Sequence, residues 1–526
     1  MQIPALVLIS SLYGISDANP FGSPLAPFPQ QFNDNQNLLK YTAWAGPWSQ
    51  RRGVGLNRDP PRGCRVDQVA MLHRHGERYP SKGHAALISL SYQKVMAKKG
   101  SLGGSLKFAN YWKPFANGST AMNEQETTYG PYSGLLGAYY NGADYRTRYG
   151  HLYDPETILP FFTAGFERVT QTGRKFGQGF LGNNYTTQAA VQIIPETDDQ
   201  GANTLAAQCK VHGKPLTNCP VPDEKFLHRI IWGNAWKYKE FTTAAKRLNA
   251  ENGLDLDDDD IPYLMSIAAF ELNIRGNSPW YDVFTDEEWI AFEYLQSMIY
   301  YCYFGPGATA SPYRGGLYLN ATRTLFNEGP ETLPLAFSFA HDTDLTPVIS
   351  LLGFASPQSY DPSRVTFGST WDLTDIVPQN ARIVFERLEC QKDYDSEAYY
   401  QSELGAKYPG AFDSPNISES NYQGSQTSLS SKLDTEYYVR VVLNEAVAPI
   451  PDCMDGPGKS CSLHDFNLWL DTKLEGHEYA QNCIKDSSYP QHLDFFWNWN
   501  KTTAFNEDPV PIPYQAGLID WEGNVF

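Results

Sequence analysis

The chain has 526 residues, too many for one ordinary core, so it reads as two packed domains or one large domain carrying an insertion. Apolar residues make up 41 % and aromatics 14 %, enough for a buried core and too much for a disordered protein. A formal charge of -18 argues against nucleic acid as a partner, and at neutral pH it would repel an anionic substrate unless local basic residues override it.

At the start of the chain, Ile3 to Leu12 form a short apolar core, and Ser16-Asp17-Ala18 has the small–x–small pattern of a cleavage site. Residues 1–18 are therefore expected to be a signal peptide, although no Lys or Arg precedes the apolar core. Residues 19–60 are rich in Pro, Gly, Asn and Gln and read as an extended N-terminal arm. An α/β domain begins at about residue 61. Val66 to Leu72 is a buried-strand pattern that stops at a polar cluster, Arg74 to Pro80. Phe166, Val169, Gly173, Phe176 and Phe180 then mark one face of a helix.

Residues 201–330 read as a mainly helical insertion, with helix-like stretches at 261–275 and 286–300. The charge run Asp255 to Asp260 lacks the spacing and the Gly of a calcium loop, and reads as a solvated turn that caps the next helix. The α/β domain resumes over 331–526. Leu335 to Ala340 is a second buried strand, followed by a helix capped by Thr343 or Asp344 with Leu345, Val348, Ile349 and Leu352 on its apolar face. A polar surface loop, 393–435, precedes a further strand, Tyr437 to Leu443. Strands and helices alternating around a helical middle section point to an α/β fold with a helical insertion. No apolar run reaches the ~20 residues needed to span a bilayer.

Asn117, Asn184, Asn320, Asn416 and Asn500 each open an Asn-x-Ser/Thr sequon. The eight cysteines are even in number and contain no C-x-x-C pair, so disulfides are favoured over zinc, with 105 pairings open. These features predict a secreted glycoprotein of the extracellular or cell-wall space.

Two polar clusters carry chemistry. Arg74-His75-Gly76-Glu77-Arg78-Tyr79-Pro80 follows a predicted strand, where ligands bind in open α/β sheets. Its two guanidinium groups are rigid forks that match phosphate oxygens, and they flank one imidazole. A chance match to R-H-G-x-R-x-P in a chain of this length is about one in ten thousand. His341-Asp342-Thr343-Asp344 also ends a predicted strand and supplies what the first cluster lacks, an acid for the leaving group.

With these residues in place, the chain resembles the histidine acid phosphatases, most closely the fungal acid phosphatases and phytases active at low pH. Arg74 to Pro80 matches the family signature and His341-Asp342 its second motif. Further likeness runs through YGPYSGLL near Tyr132, RVTQTGRKFGQGF from Arg168, FELN from Phe270, LNEAV from Leu443 and YPQHL from Tyr489. The resemblance implies a larger α/β domain with a mostly parallel sheet and a smaller inserted helical domain, of the phosphoglycerate-mutase type. It implies that His75 is the nucleophile, that Arg74, Arg78, Arg168 and His341 bind the phosphate, and that Asp342 donates the proton. It also implies the disulfides Cys64–Cys390, Cys209–Cys483, Cys219–Cys302 and Cys453–Cys461.

The expected reaction is hydrolysis of phosphate monoesters by two displacements through a phosphohistidine, with neither metal nor cofactor. The nucleophile must be neutral and the donor protonated. Neighbouring Arg charges lower the His value and a bound phosphate raises the Asp value, which predicts an acidic optimum. Small phosphorylated molecules are the expected partners, phytate being left open among them; a membrane is not expected, and a homo-oligomer is left open. Glu77 and His341-Asp342-Thr343 depart from the dedicated phytases and resemble the broad acid phosphatases. Lys82 and Glu288 are candidate pocket residues. Three rivals stand beside this reading: a cytosolic phosphate mutase, an inactive binding module on the same fold, and a metal hydrolase built on His341, Asp342 and Asp344.

Overall fold

The computed structural model describes residues 38–51, 53–115, 122–219, 238–354, 361, 364–366, 371–391 and 435–506. The expected signal peptide, the first half of the arm, nearly all of the surface loop, and Asn117 and Asn416 lie outside these residues. Eight strands form one sheet: β1 (Cys64–Arg74), β2 (Leu159–Ala164), β3 (Ala189–Ile194), β4 (Leu335–Ala340), β5 (Arg382–Gln391), β6 (Thr435–Leu443), β7 (Ala446–Val447) and β8 (Cys461–Ser462). Their order is β3-β2-β4-β1-β5-β6-β7, with β8 on β6. The first four are mutually parallel and the rest are joined antiparallel, so the sheet is mixed. All six residues of β4 and of β2 are buried, which explains why β4 reads as an apolar run without alternation.

The longer helices are α1 (Lys82–Met96), α2 (Gly134–Tyr149), α3 (Glu167–Leu181), α4 (Lys239–Asn252), α5 (Asp260–Arg275), α6 (Asp286–Tyr303), α7 (Ser311–Glu328), α8 (Asp342–Leu351) and α9 (Leu463–Leu474). Helices α2 and α3 meet through glycines. A Cβ on Gly142 would lie 2.0 Å from the Phe176 carbonyl oxygen, and one on Gly179 would lie 2.0 Å from that of Tyr139. Only bare backbone permits this approach, and it fixes α3 against α2. Helices α4 to α7 lie between β3 and β4. Of these, α7 sits close to α8 and α9, since a Cβ on Gly315 would strike the Pro347 carbonyl and one on Gly316 the Leu474 side chain. One apolar cluster takes in Val69, Phe337 and Val384 from the sheet together with Phe270, Trp289 and Leu295 from the helical stretch.

Three local expectations need correction. The arm is packed over Leu39 to Trp48: Ala43 and Ala45 are buried, and the Ala45 carbonyl accepts side-chain hydrogen bonds from both Asn273 and Gln379. In the charge run, Asp257 caps the backbone N–H groups of Asp259 and Asp260, but Asp260 itself is buried, 2.6 Å from Lys94 of α1. Helix α8 starts at Asp342, so its cap is His341 rather than Thr343 or Asp344, and Asp344 accepts the His341 N–H at 3.2 Å. Four disulfides join Cys64 to Cys390, Cys209 to Cys483, Cys219 to Cys302 and Cys453 to Cys461.

Candidate active site

The register of β1 on β4 brings the two sequence clusters together. Arg74 pairs with Ala340, and the His75 N–H donates to the Ala340 carbonyl at 3.0 Å, so both clusters leave the carboxyl ends of adjacent parallel strands. Strand β2, on the other side of β4, leads into α3 and delivers Arg168. Strand β3 leads on to Glu196.

His75 is fully buried. Its Nδ1 lies 2.9 Å from the Gly76 carbonyl, which can only accept, so Nδ1 carries the proton and Nε2 keeps its lone pair. Arg78 Nε faces that Nε2 at 3.4 Å. Burial, then the guanidinium groups of Arg168, Arg74 and Arg78, hold the imidazole well below its usual range, in the neutral form. The glycine of the motif is needed for space, since a Cβ there would lie 2.7 Å from both Glu126 Oε1 and the Gly134 carbonyl. Glu126 Oε1 accepts the Gly76 N–H at 2.7 Å and also the Thr172 hydroxyl, pinning the loop. Burial raises the Glu126 carboxyl to about 8 and that of Glu77 to about 7.

Arg74 is held by carbonyl groups: Nη1 donates to Trp44 and Val377 at 2.7 and 2.5 Å, and Nη2 lies 2.9 Å from Asp342 Oδ2. Arg78 Nη1 donates to the Tyr79 carbonyl at 2.8 Å. Arg168 stacks on the Phe166 ring at 4.1 Å. Nε of Arg74, and Nε and Nη1 of Arg168, are buried without a hydrogen-bond partner among the described residues. Buried donors in native proteins are almost always paired, so these forks fit an anion.

The His341 ring lies 5.9 Å from that of His75. Its Nε2 donates to Glu196 Oε1 at 2.9 Å, and its Nδ1 is 3.3 Å from Arg168 Nη2. Asp342 Oδ2 also accepts the Tyr300 hydroxyl at 2.7 Å, while Oδ1 accepts the Thr343 N–H at 2.9 Å. Burial pushes the Asp342 carboxyl up, but Arg74, the Tyr300 hydrogen bond, Arg78 and His341 together outweigh it and hold it below the ordinary value.

The structure thus gathers His75, Arg74, Arg78, Arg168, His341 and Asp342 at one sheet edge. It does not bring in Glu288, whose two oxygens take Arg247 Nη2 at 2.7 and 2.9 Å and the Thr285 N–H at 2.9 Å in the capping box of α6. Lys82 is exposed on the first turn of α1. Glu77 is buried and accepts the Trp48 N–H at 3.0 Å. The trio of the metal reading does not converge either: Asp344 lies 2.9 Å from Arg314, while Asp342 faces Arg74 and Tyr300. Sequence reasoning missed Trp44, Glu126, Glu196 and Tyr300. Glu196 lies two residues past β3, where the strand-end rule would have marked it had that strand been recognised.

Comparison with known proteins places this geometry. The model of the histidine phosphatase superfamily (branch 2) matches residues 65–444. The phytase PHO112 of Candida albicans is 32 % identical over 90 % of this chain and 93 % of its own length. The acid phosphatase PHO1 of Komagataella pastoris is 32 % identical over 94 % and 97 %. Among solved structures, the phytase from D. castellii superposes with a TM-score of 0.72 at 29 % identity, covering 94 % of this chain and 97 % of that one. The chain belongs to the histidine phosphatase superfamily, branch 2, and is a phosphatase of the histidine acid phosphatase family.

Proposed function

We propose that this phosphatase hydrolyses phosphate monoesters by two displacements at His75, with Asp342 as the proton donor. The observation that carries the reading is the state of His75: one ring nitrogen is committed to the Gly76 carbonyl, and the other holds a lone pair facing Arg78. A neutral buried imidazole among guanidinium groups is a nucleophile at acid pH, where a free histidine would be protonated. Nε2 attacks phosphorus while Arg74, Arg78, Arg168 and His341 hold the equatorial oxygens, whose charge needs the most stabilisation. Asp342 protonates the departing alcohol. Water then attacks the phosphohistidine with Asp342 taking its proton, which releases phosphate and restores the nucleophile.

Without substrate, Arg74 and the Tyr300 hydrogen bond favour the ionised form of Asp342. A phosphate entering the arginine cluster offsets these positive charges and favours the protonated acid, so substrate binding readies the donor. We read the substrate range as broad. Relatives are named both phytase and acid phosphatase, and the two acidic residues weighed from sequence, Glu77 and Glu288, are both turned away to structural partners. We also read the protein as secreted and glycosylated. Four disulfides suit an oxidising compartment, and the sequon residues Asn184, Asn320 and Asn500 are exposed.

The test is phosphate release from phytate and from a simple aryl phosphate across pH 2 to 8, by wild type and His75→Ala. Activity at acid pH that vanishes in the variant supports the mechanism, and the ratio of the two rates places the substrate preference. Activity that survives without His75 rejects it. Secretion and glycan are read separately, from the mass of the exported protein before and after glycosidase treatment.

A further inference from the structure

Outside the residues that the motifs supply, one carboxylate touches the reacting cluster through a ring. Glu196 follows β3, and its Oε1 accepts from His341 Nε2 at 2.9 Å. Arg168 of α3 faces Nδ1 of the same ring at 3.3 Å, and the Phe166 ring meets it edge-on at 5.8 Å. Contacts from two separate elements therefore fix the ring plane, with Nε2 committed to Glu196 and Nδ1 turned toward the arginine cluster.

We propose that Glu196 is a positioning residue for the phosphatase reaction, which orients His341 and supplies the negative charge that lets the ring donate from Nδ1 to the bound phosphate. This rests on the reading that His341 binds phosphate. An imidazole can donate from Nδ1 while its Nε2–H is engaged only when both nitrogens carry hydrogen, that is, as imidazolium. Without phosphate, Arg168 Nη2, which can only donate, uses Nδ1 as its acceptor, so the imidazolium forms when phosphate replaces that contact, and the groups around the ring decide whether it is tolerated. Arg168 and His75, from α3 and the end of β1, oppose a second positive charge or leave it unmatched. On its own helix, Asp344 is engaged by Arg314 and by the His341 N–H, and Asp342 is turned to Arg74 and Tyr300. Glu196 is the carboxylate in direct contact with the ring. It reaches His341 as a charge-assisted acceptor, the stronger kind of hydrogen bond, and when phosphate arrives its charge and that of the phosphate lie at opposite nitrogens of one imidazolium.

The surroundings make the idea testable by replacement. Glu196 is 26 % exposed and lines a pocket of about 210 Å³ that it shares with Thr197, Asp198, Lys210, Tyr479 and Lys485. Truncation to Ala therefore opens a space that a formate ion can fill from solvent.

The experiment measures kcat and KM for an aryl phosphate at the acid optimum, and inorganic phosphate binding by calorimetry. The proteins are wild type, Glu196→Gln, and Glu196→Ala with and without formate. Gln keeps an acceptor for Nε2–H but lacks the charge, whereas Ala lacks both. We expect kcat/KM to fall by about 10- to 100-fold in both variants, with phosphate affinity falling alongside, the Ala variant suffering more. Formate should restore the Ala variant and leave the Gln variant unchanged, a distinction that a purely structural role would not produce. Activity within about threefold of wild type in Glu196→Gln overturns the proposal, as does unchanged phosphate affinity in Glu196→Ala. Should Glu196→Ala fail to fold, the near-isosteric Gln variant decides the matter through its phosphate affinity. An inactive wild type that binds phosphate, and loses it in Glu196→Gln, would reject the catalytic reading while supporting the role of Glu196.

Discussion

Replacing Tyr300 by Phe removes one hydrogen bond and little volume. The side chain is buried on α6, with its hydroxyl 2.7 Å from Asp342 Oδ2 and its ring stacked on Trp44 at 6.3 Å. A swap of this kind costs less than about 1.5 kcal/mol in packing, so the fold should survive it. A hydrogen bond to a charged group contributes about 1.5–3 kcal/mol, here favouring the ionised carboxylate, and one pKa unit corresponds to about 1.4 kcal/mol. Arg74 remains 2.9 Å from the same oxygen, so we take the lower end: the Asp342 value should rise by about 1 unit. The donor must be protonated to act. A higher value keeps it protonated to higher pH, so the alkaline limb of the activity profile should move up by about one pH unit. The acid limb, set by His75, should stay. The assay is kcat/KM for an aryl phosphate from pH 2 to 8 in wild type and Tyr300→Phe, where ionisation of the substrate is common to both curves and cancels. An alkaline limb that is unmoved, or moved down, in a variant with a native melting temperature would refute the assignment of Asp342 as the acid.

Asp342→Asn should lower kcat on alkyl phosphates by about 10²- to 10⁴-fold, and far less on an activated aryl phosphate whose leaving group needs no proton; equal losses in steady-state kinetics would count against a donor role. Glu126 carries a folded-state value of about 8 against an ordinary 4.5, so its contribution to stability is complete below about 4.5 and is lost as pH rises through 8. Glu126→Gln should therefore show a smaller fall in denaturant midpoint between pH 4.5 and 8 than wild type, and an identical fall would reject the raised value. Gly179→Ala should destabilise by about 1–3 kcal/mol in chemical denaturation, because the new Cβ meets the Tyr139 carbonyl of the facing helix; an unchanged midpoint would mean that α2 and α3 can separate freely.

The parts of this molecule that could be read from sequence are those where one physical demand dominates. Strands β1 and β4 are buried on both faces, and their apolar runs end at the polar clusters that the sheet then aligns. Helices α5 and α6 were legible for the same reason. Strand β5 was not, because Arg382, Glu386 and Arg387 interrupt its apolar pattern, each buried against an opposite charge supplied from elsewhere in the chain. No local rule anticipates those partners. The arm misled in a different way: a composition rich in Pro and Gly suggested loose chain, yet Trp44 holds Arg74 through its carbonyl and stacks near Tyr300. Glu288 misled as a candidate pocket residue, when its local sequence, Thr285 followed three residues later by Glu, is that of a capping box. Tyr300 sits in a helix whose sequence reads simply as core.

How a chain of charge -18 comes to bind an anion is answered by comparing its buried arginines. Away from the site four of them are neutralised: Arg382 lies 2.6 Å from Glu445, Arg440 lies 2.5 Å from Glu386, Arg387 lies 2.5 Å from Asp67, and Arg314 lies 2.9 Å from Asp344. At the site they are held differently. Arg74 and Arg78 are steadied by the carbonyls of Trp44, Val377 and Tyr79, and Arg168 by the face of Phe166. Carbonyl dipoles and aromatic faces orient a guanidinium without cancelling its charge. Among the described residues, Asp342 is the carboxylate in ion-pair contact with this trio, and it is also the group that the mechanism we propose needs to become neutral. The positive field is thus left open at the sheet edge, and in the proposed mechanism an entering phosphate offsets the attraction of Arg74 that favours the ionised form of Asp342. On that reading, anion binding and the arming of the acid follow from one arrangement of charge. The overall acidity of the chain is then compatible with the chemistry, since these four structural arginines are paired off and the field at the sheet edge is set by residues within a few ångströms.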